Sequence, residues 1–549
     1  MLKIIPLGGF GEVGKNMLII EYENDLIIID AGLMFPDDEM LGIDLVLPDF
    51  SYVLRNKRKV RGVFLTHGHE DHTGALPYLL KQINTPVYGT RLTLGLAKDK
   101  LAEHRMLDDV NLVEINTESV IDAGPFNVSF IHVSHSVPDG VGLAIDTPEG
   151  TIVLSGDFKL DTTPVDGWMT ELNKFVKLGD RGVLLYLGDS TNAESPGGTK
   201  TEKSVGEALD RVFKDALQRV VVCCFSSHIH RIQQVLDMAY KNDRKVAIAG
   251  RSMRNNVQIA TELGYLNIPG NTIIGLHEVN DYPPYEIVII ATGSQGEPMS
   301  ALARLASHDH KHIKLVPGDT VVLSATPVPG NEKSVARTID QLFRIGTHVF
   351  YEEGSGVHVS GHASREELRL MLSLVKPKYF IPMHGEYRHL KHHADLASSM
   401  GIPKENIFIV ENGNVVTFKQ GKAQPGRNVS AGAMFVDGLG IGDIGDVVLR
   451  DRMRLSRDGV FIVVVGINRQ TGQIISGPDI VSRGFVYPKE TKDLIEEAKT
   501  DVIATLEQCA SDSIIDESVL KMHIRDSLSR YLFKSTRRRP MVMPVIMEV

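Results

Sequence analysis

In the run Thr66-His67-Gly68-His69-Glu70-Asp71-His72, three histidines and two carboxylates fall within six consecutive residues. Imidazole nitrogens and carboxylate oxygens are the ligands of zinc and similar divalent ions. The set is too rich for one tetrahedral ion that keeps an open position. It fits a pair, with His67 and His69 facing one ion and Asp71 and His72 the other. Two adjacent ions can activate a water and clamp the oxygens of an in-line displacement. The alternative is a solvated polar loop with chance histidines, which does not account for so dense a cluster.

The flanking residues say what must position this cluster. Residues 60–65 read as a buried strand, and 73–82 carry apolar positions at helical spacing. The cluster is therefore expected on a loop where a strand ends and a helix begins, a common place for functional groups in α/β folds. Other ligand-type residues follow the same rule. Strand-like 126–133 leads to His135, 151–154 to Asp157, 378–381 to His384, and 26–30 ends in Asp30. Singly, His135 reads as a structural histidine and Asp157 as a turn acid. Taken with the first cluster, His135 completes the first ion, Asp157 bridges both and His384 completes the second. Asp30 is placed to orient a ligating histidine from behind.

Two motifs near the start are decoys. Gly9, Gly11 and Gly14 match a dinucleotide fingerprint. Gly9, Gly14 and Lys15 nearly match a P-loop, with Asn16 where Ser or Thr is needed. Both require a helix next, and the sequence instead reads as strand, turn, strand. The glycines are expected to form a tight loop beside the site.

From residue 201 to about 350, strand-like segments alternate with helical ones, which predicts a parallel sheet covered on both faces. Site-type residues resume beyond it, so this region reads as an insertion. Ser360-Gly361-His362-Ala363-Ser364 opens a helix, with Ser364 and Glu367 as a capping box. A Ser/Gly loop at a helix start also offers backbone N–H groups to an anion, and His362 can give a proton to a leaving oxygen. Ser227, His228 and Arg231, with Arg251 and Ser252, are weaker candidates for substrate contact. His308, His310, His312, His392 and His393 read as solvated or helix-end histidines. Residues 421–446 read as linker. The tail reads as two strands, two helices (about 489–508 and 516–533) and a final strand at 541–547, where Pro544 suggests a sheet edge. The basic run Lys534, Arg537, Arg538 and Arg539 reads as a solvated face, with phosphate contact the minority alternative.

In order, Asp30, the 67–72 cluster, His135 and Asp157 resemble the metallo-β-lactamase superfamily pattern. Asp189, in Leu187-Gly188-Asp189-Ser190-Thr191-Asn192, and His362 resemble the β-CASP subgroup, which cuts nucleic acids. The glycine-rich start, Gly293-Ser294-Gln295-Gly296-Glu297-Pro298, 360–364 and 383–386 are similar to the ribonuclease J family over essentially the whole chain.

The resemblance implies an α/β fold: a metallo-β-lactamase αββα sandwich (1–200 and 351–420), an inserted parallel-sheet β-CASP domain (201–350), a linker (421–450) and a small α+β ββααβ C-terminal domain (451–549). It implies His67, His69, His135 and Asp157 on one ion and Asp71, His72, Asp157 and His384 on the other. His362, held by Asp189, would be the proton donor. The implied activity is a two-metal ribonuclease, 5′-to-3′ with preference for a 5′ monophosphate and with internal cleavage too, serving mRNA decay and rRNA maturation. Zn2+, two ions per chain, is the implied cofactor, with Mn2+ or Mg2+ as alternatives; RNA is the partner, and a homodimer or homotetramer is expected.

The bulk numbers agree with a globular enzyme. The 549 residues are 42% hydrophobic and 23% charged, typical of globular domains. A net charge of −10 excludes a uniformly basic duplex-coating protein. Three cysteines, two of them adjacent, give no disulfide framework, and no apolar run reaches membrane length, so a reducing cytoplasm without membrane contact is expected. Two rival readings remain at this stage: a small-molecule metallohydrolase cutting a thioester or lactone, and a non-catalytic RNA-binding scaffold.

Overall fold

The computed structural model describes residues 1–37, 39–297, 299–328, 330–438, 440–485 and 492–548. Pro298, Leu439 and Lys489 fall in the glycine-rich motif, the expected linker and the expected tail helix, and lie outside the described residues. The chain divides into two compact units, Met1–Asp37 with Leu45–Met434, and Asp38–Asp44 with Phe435–Val549.

The first unit contains two sheets packed face to face. One has eight strands in the order Lys422–Pro425, Val416–Lys419, Leu2–Gly8, Met17–Tyr22, Asp25–Ile29, Val60–Phe64, Val87–Gly89, Leu112–Glu114. The other has six, in the order Pro377–Met383, Val183–Asp189, Gly150–Leu154, Val141–Thr147, Phe126–His132, Val120–Ala123. Alternate residues of each strand face the shared core: Ile4, Leu18, Ile20, Ile27, Ile29 and Phe64 from the first sheet meet Val128, Phe130, Leu143, Ile145 and Leu187 from the second. The residues between them, such as Ile5, Ile19, Ile28 and Val63, are also fully buried. Burial on both faces explains the unbroken apolar runs of these strands. On the outer face of the second sheet, Val153, Tyr186 and Phe380 pack against Phe175, Leu368, Met371, Leu372 and Leu396 from helices. This is the expected αββα sandwich. Truncating a core residue such as Phe64 to Ala is expected to cost about 3–5 kcal/mol.

The inserted segment forms its own six-stranded sheet, in the order Ile273–Ile274, Lys245–Ala249, Ile287–Ala291, Val220–Cys223, Thr320–Leu323, His348–Phe350, with every pairing parallel. Val220, Val222, Ile248 and Ile290 line one face, and Val221, Ala247, Ile289 and Val321 the other, each under helices. Leu92, Leu96 and Val137 of the sandwich share the first of these cores, so the insertion is docked on the sandwich through apolar contact.

In the second unit, strands Ile474–Arg483, Val460–Ile467 and Met541–Glu548 form a sheet under helices Lys492–Ser511 and Glu517–Thr536. The apolar stripes of both helices, including Ala498, Val502, Leu506, Ile524 and Leu528, face that core. The final strand is at the sheet edge, where Pro544 placed it. A helix, Asp446–Asp458, precedes the first strand; its seven charged residues among thirteen hid it. The expected linker is also partly structured, carrying strands Lys422–Pro425, Ala433–Asp437 and Gly440–Ile441. Among the described residues no helix is long and apolar enough to cross a membrane, and all three cysteines are free and buried.

Candidate metal centre

Each candidate ligand stands at a strand's carboxyl end. Strand Val60–Phe64 delivers the 67–72 cluster, and the helix Glu70–Thr73 begins inside it, so Asp71 and His72 sit on its first turn. Strands ending at His132, Leu154, Asp189 and Met383 deliver His135, Asp157, Asp189 and His384. Asp30 and His384 both adopt left-handed backbone, at φ 60° and 56°. Such conformations are costly for residues with a side chain and persist where surroundings enforce them. For His384, part of that enforcement is its N–H, which donates to Gly9 O at 2.8 Å.

The side chains converge. Asp157 Oδ2 lies 3.2 Å from His72 Nε2, 3.6 Å from His384 Nε2, 3.7 Å from His67 Nε2 and 4.0 Å from His135 Nε2. One ligand atom from each of His67, His69, His135 and Asp157 lies within 4.8 Å of all the others. Two overlapping groups follow on the other side: Asp71, His72 and His384, and Asp157, Asp189, His362 and His384. The expected second set is thus divided, with His384 common to both halves.

Behind the ligand atoms, a ring of acceptors fixes the imidazoles. His72 Nδ1 is 2.8 Å from Asp30 Oδ2, and Asp30 also accepts from Thr66 N at 2.8 Å and Thr66 Oγ1 at 2.9 Å. His135 Nδ1 is 2.8 Å from the Gly361 carbonyl, which requires Nδ1 to carry the proton and leaves the Nε2 lone pair facing inward. A side chain at 361 would collide with that ring, since a Cβ there would lie 2.8 Å from His135 Cε1. His384 Nδ1 is 2.5 Å from Thr191 Oγ1, which in turn donates to His384 O. His69 Nε2 meets Ser136 Oγ at 3.1 Å.

The donor set fits divalent cations. His67 Nε2 and His135 Nε2 lie 2.9 and 3.2 Å from His69 Nδ1; one proton on His69 serves one of these contacts, whereas a cation among the three nitrogens would engage all of them. Asp157 Oδ1 is buried with no hydrogen-bond partner, another open ligand valence. Burial, then neighbouring imidazoles, holds His67 and His135 well below the usual histidine range, and burial lowers His69 to about 4; these rings are neutral donors. Burial would raise Asp71 and Asp157, but His72 and His384 outweigh it and keep both carboxylates ionised. Burial opposes charge on His384 too, yet Asp157, Asp189 and Asp71 raise it to about 10. Burial opposes charge on His72 as well, yet Asp157, Asp71 and Asp30 raise it, so the carboxylates draw positive charge onto the rings around them, a role that bound cations would take over.

Asp189 and His362 meet as well: His362 Nδ1 is 2.8 Å from Asp189 Oδ2. The surrounding 360–364 loop is held by Asn192 and Thr199. Thr199 Oγ1 donates to His362 O at 2.8 Å, and Ser360 Oγ accepts from His362 N at 3.1 Å. Ser364 Oγ is engaged by Asn192 Nδ2 at 3.0 Å and Thr199 Oγ1 at 2.9 Å, and Ser364 N–H donates to Glu367. Ala363 is buried in the outer core of the second sheet.

Two expected substrate contacts are placed elsewhere. Arg231 is wholly buried, with Nε 2.8 Å from Glu202 Oε1 and Nη1 on Ser324 and Val357 O. His228 caps its helix by accepting from Arg231 N and faces Glu202. A buried guanidinium must be paired and hydrogen-bonded, and Glu202, at the edge of the insertion, supplies the pair. Ser227, by contrast, lines a cavity.

The sequence reading missed Asn16. Its Nδ2 donates to Asp71 O at 3.0 Å and Asp71 Oδ2 at 3.2 Å, and lies 3.1 Å from His72 Nε2. The signal was its place in the glycine-rich loop, read there only as a mismatch to a phosphate motif. Thr191, Thr66 and the Gly361 carbonyl were missed as well. Each is adjacent in sequence or nearly so to a residue singled out for itself.

Sandwich, insertion and His/Asp cluster define a metal-dependent hydrolase of the metallo-β-lactamase superfamily, whose family model matches residues 10–189. Models of the ribonuclease J β-CASP domain, the Zn-dependent metallo-hydrolase RNA specificity domain and the ribonuclease J C-terminal domain match 217–342, 355–410 and 447–549. The chain is 44% identical to Ribonuclease J2 of Bacillus subtilis (strain 168), covering 100% of this chain and 99% of that protein. It is 42% identical to Ribonuclease J 2 of Staphylococcus aureus (strain MRSA252), over 100% and 98%. The chain belongs to the ribonuclease J family. A solved structure of a protein of unknown function from Enterococcus faecalis V583 shares the fold, with a TM-score of 0.53 at 16% identity over 77% of this chain and 99% of that one.

Proposed function

We propose that this metal-dependent ribonuclease holds two divalent cations, zinc by preference, and degrades RNA from the 5′ end, favouring 5′ monophosphates and also cutting internally. The observation that carries the reading is the single carboxylate oxygen of Asp157 ringed by four imidazole nitrogens from three separate stretches of chain. His67, His69, His135 and Asp157 would hold one ion, and Asp71, His72, Asp157 and His384 the other. Bound there, the ions would activate the attacking water and offset charge gathering on the phosphate.

The chain's own groups do the rest. Asp30, Gly361 O and Thr191 fix the tautomers of His72, His135 and His384, so each ring presents Nε2. Asp189 holds His362 by Nδ1, leaving Nε2–H to protonate the leaving 3′ oxygen as the P–O3′ bond breaks. Burial opposes charge on His362, but Asp189 overrides it and raises the ring above the usual range, which keeps the donor loaded. The Ser360–Ser364 loop is the candidate for the terminal or scissile phosphate, through the Ser360 hydroxyl and the Gly361 N–H rather than the engaged Ser364 hydroxyl and the N–H groups of His362 and Ser364. Work in mRNA decay and rRNA maturation, as a homodimer or homotetramer, extends the same reading by family membership.

The test feeds end-labelled RNA carrying 5′ monophosphate, triphosphate or hydroxyl groups to the metal-loaded chain. Mononucleotides released in order from the 5′ end, fastest with the monophosphate, are expected. Equal rates on all three ends would remove the end preference, and no cleavage of any would remove the function.

A further inference from the structure

The turn 188–191 carries two groups of the candidate site, Asp189 against His362 and Thr191 against His384. Ser190, between them, is wholly buried. Its hydroxyl donates to Gly188 O at 3.1 Å, bridging across Asp189, and lies 3.0 Å from His393 Nδ1. With the hydroxyl proton on the carbonyl, the second bond is His393 Nδ1–H donating to Ser190 Oγ. Two backbone contacts complete the turn. Ser190 N–H donates to Met383 O at 2.9 Å, and Asp189 N–H to Ser155 Oγ at 3.0 Å.

His393 lies on helix Tyr387–Ser399. Expected from the sequence to be solvated or at a helix end, it is wholly buried, with its ring 4.7 Å from that of Phe380. A Cβ at position 188 would lie 3.0 Å from His393 Cε1, so the glycine there admits the ring. Burial outweighs the pull of Asp189 and lowers His393 to about 3, so the imidazole is neutral. Its Nε2 is buried with no hydrogen-bond partner among the described residues. A leucine of similar volume would pack here without that stranded nitrogen. What the imidazole adds is the bond to Ser190.

We infer that His393 is a positioning residue: through Ser190 it fixes the turn that aims the Asp189 carboxylate at His362. The inference rests on the reading of His362, held by Asp189, as the proton donor.

Cleavage of 5′-monophosphate RNA by the full-length chain at saturating divalent ion tests it, with kcat and KM read separately and the thermal midpoint checking folding. His393→Leu is expected to lower kcat about tenfold or more and to leave KM nearly unchanged. His393→Asn, whose amide can donate from near the place of Nδ1, is expected to recover most of that loss. Ser190→Ala should reproduce the loss and carries the test if His393→Leu does not fold. In Asp189→Asn, where the pair is already broken, adding His393→Leu is expected to lower kcat by less than about twofold. Wild-type kcat in folded His393→Leu or Ser190→Ala would overturn the role. The full loss repeated in the Asp189→Asn background would overturn it too, by showing a packing effect that bypasses Asp189. Unchanged kcat in Asp189→Asn alone would overturn the proton-donor reading and the inference with it.

Discussion

Asp189 Oδ2 and His362 Nδ1 lie 2.8 Å apart, although 173 residues separate them in sequence. Asp189 ends a strand of the sandwich, and His362 stands after the whole insertion. Chain return therefore assembles the pair, and the carboxylate fixes both the ring's orientation and its charge. If His362 delivers its proton to the leaving oxygen, the active form is the protonated one. Activity is then present below the raised His362 pKa and falls as pH rises through it. Asp189→Asn removes the first charge that lifts that pKa. The alkaline limb of kcat/KM is expected to move to lower pH, and kcat to fall by about 10²–10⁴. An unmoved limb would assign the proton elsewhere.

Asn16 Nδ2 reaches the candidate ligand atoms Asp71 Oδ2 and His72 Nε2 themselves and also donates to the Asp71 carbonyl. Asn16→Ala is expected to weaken divalent-ion affinity about tenfold or more, read by competition with a chromophoric chelator. Thr191→Val should act in the same way on His384. Affinities equal to wild type would make these contacts passive packing.

The strand ends that carry the candidate site were legible because buried strands give continuous apolar runs, and a His or Asp just beyond one stands out. His67, His72, His135, Asp157 and His384 were all visible in this way. Asn16, Thr191 and the Gly361 carbonyl were not, because a neutral hydrogen-bonding group has no pattern until its partner is placed beside it. Arg231 failed for the opposite reason. An arginine after a strand end reads as a substrate contact, and only the buried Glu202, 29 residues upstream, turns it inward. The helix Asp446–Asp458 escaped because it buries no residue, so no apolar stripe marked it.

Glu202 is expected to matter for stability. Burial would raise its carboxyl, but Arg231, His228 and Lys159 outweigh burial and lower it. Its contribution is therefore present above the ordinary carboxylate range, near 4.5, and is lost as pH falls below it through the depressed folded value. Glu202→Ala leaves Arg231 buried without its carboxylate and is expected to cost about 3–5 kcal/mol at neutral pH, read as the urea midpoint. The variant should also lose less stability than wild type on acidification. A midpoint equal to wild type at neutral pH would show that the cluster relaxes without penalty.

Ser364 links the 360–364 loop to Asn192 and Thr199. Ser364→Ala is expected to lower kcat/KM on RNA while leaving the ratio of monophosphate to hydroxyl ends nearly unchanged, since its hydroxyl is turned into the loop. A collapse of that ratio would place Ser364 on the terminal phosphate instead.

Elemental analysis of the purified, active chain beside Asp157→Ala tests the central claim most directly, because one carboxylate is assigned to both ions. Two divalent ions per wild-type chain are expected, with neither retained in the variant. Full RNA cleavage by a wild-type chain free of divalent ions, or two ions still bound in Asp157→Ala, would contradict it.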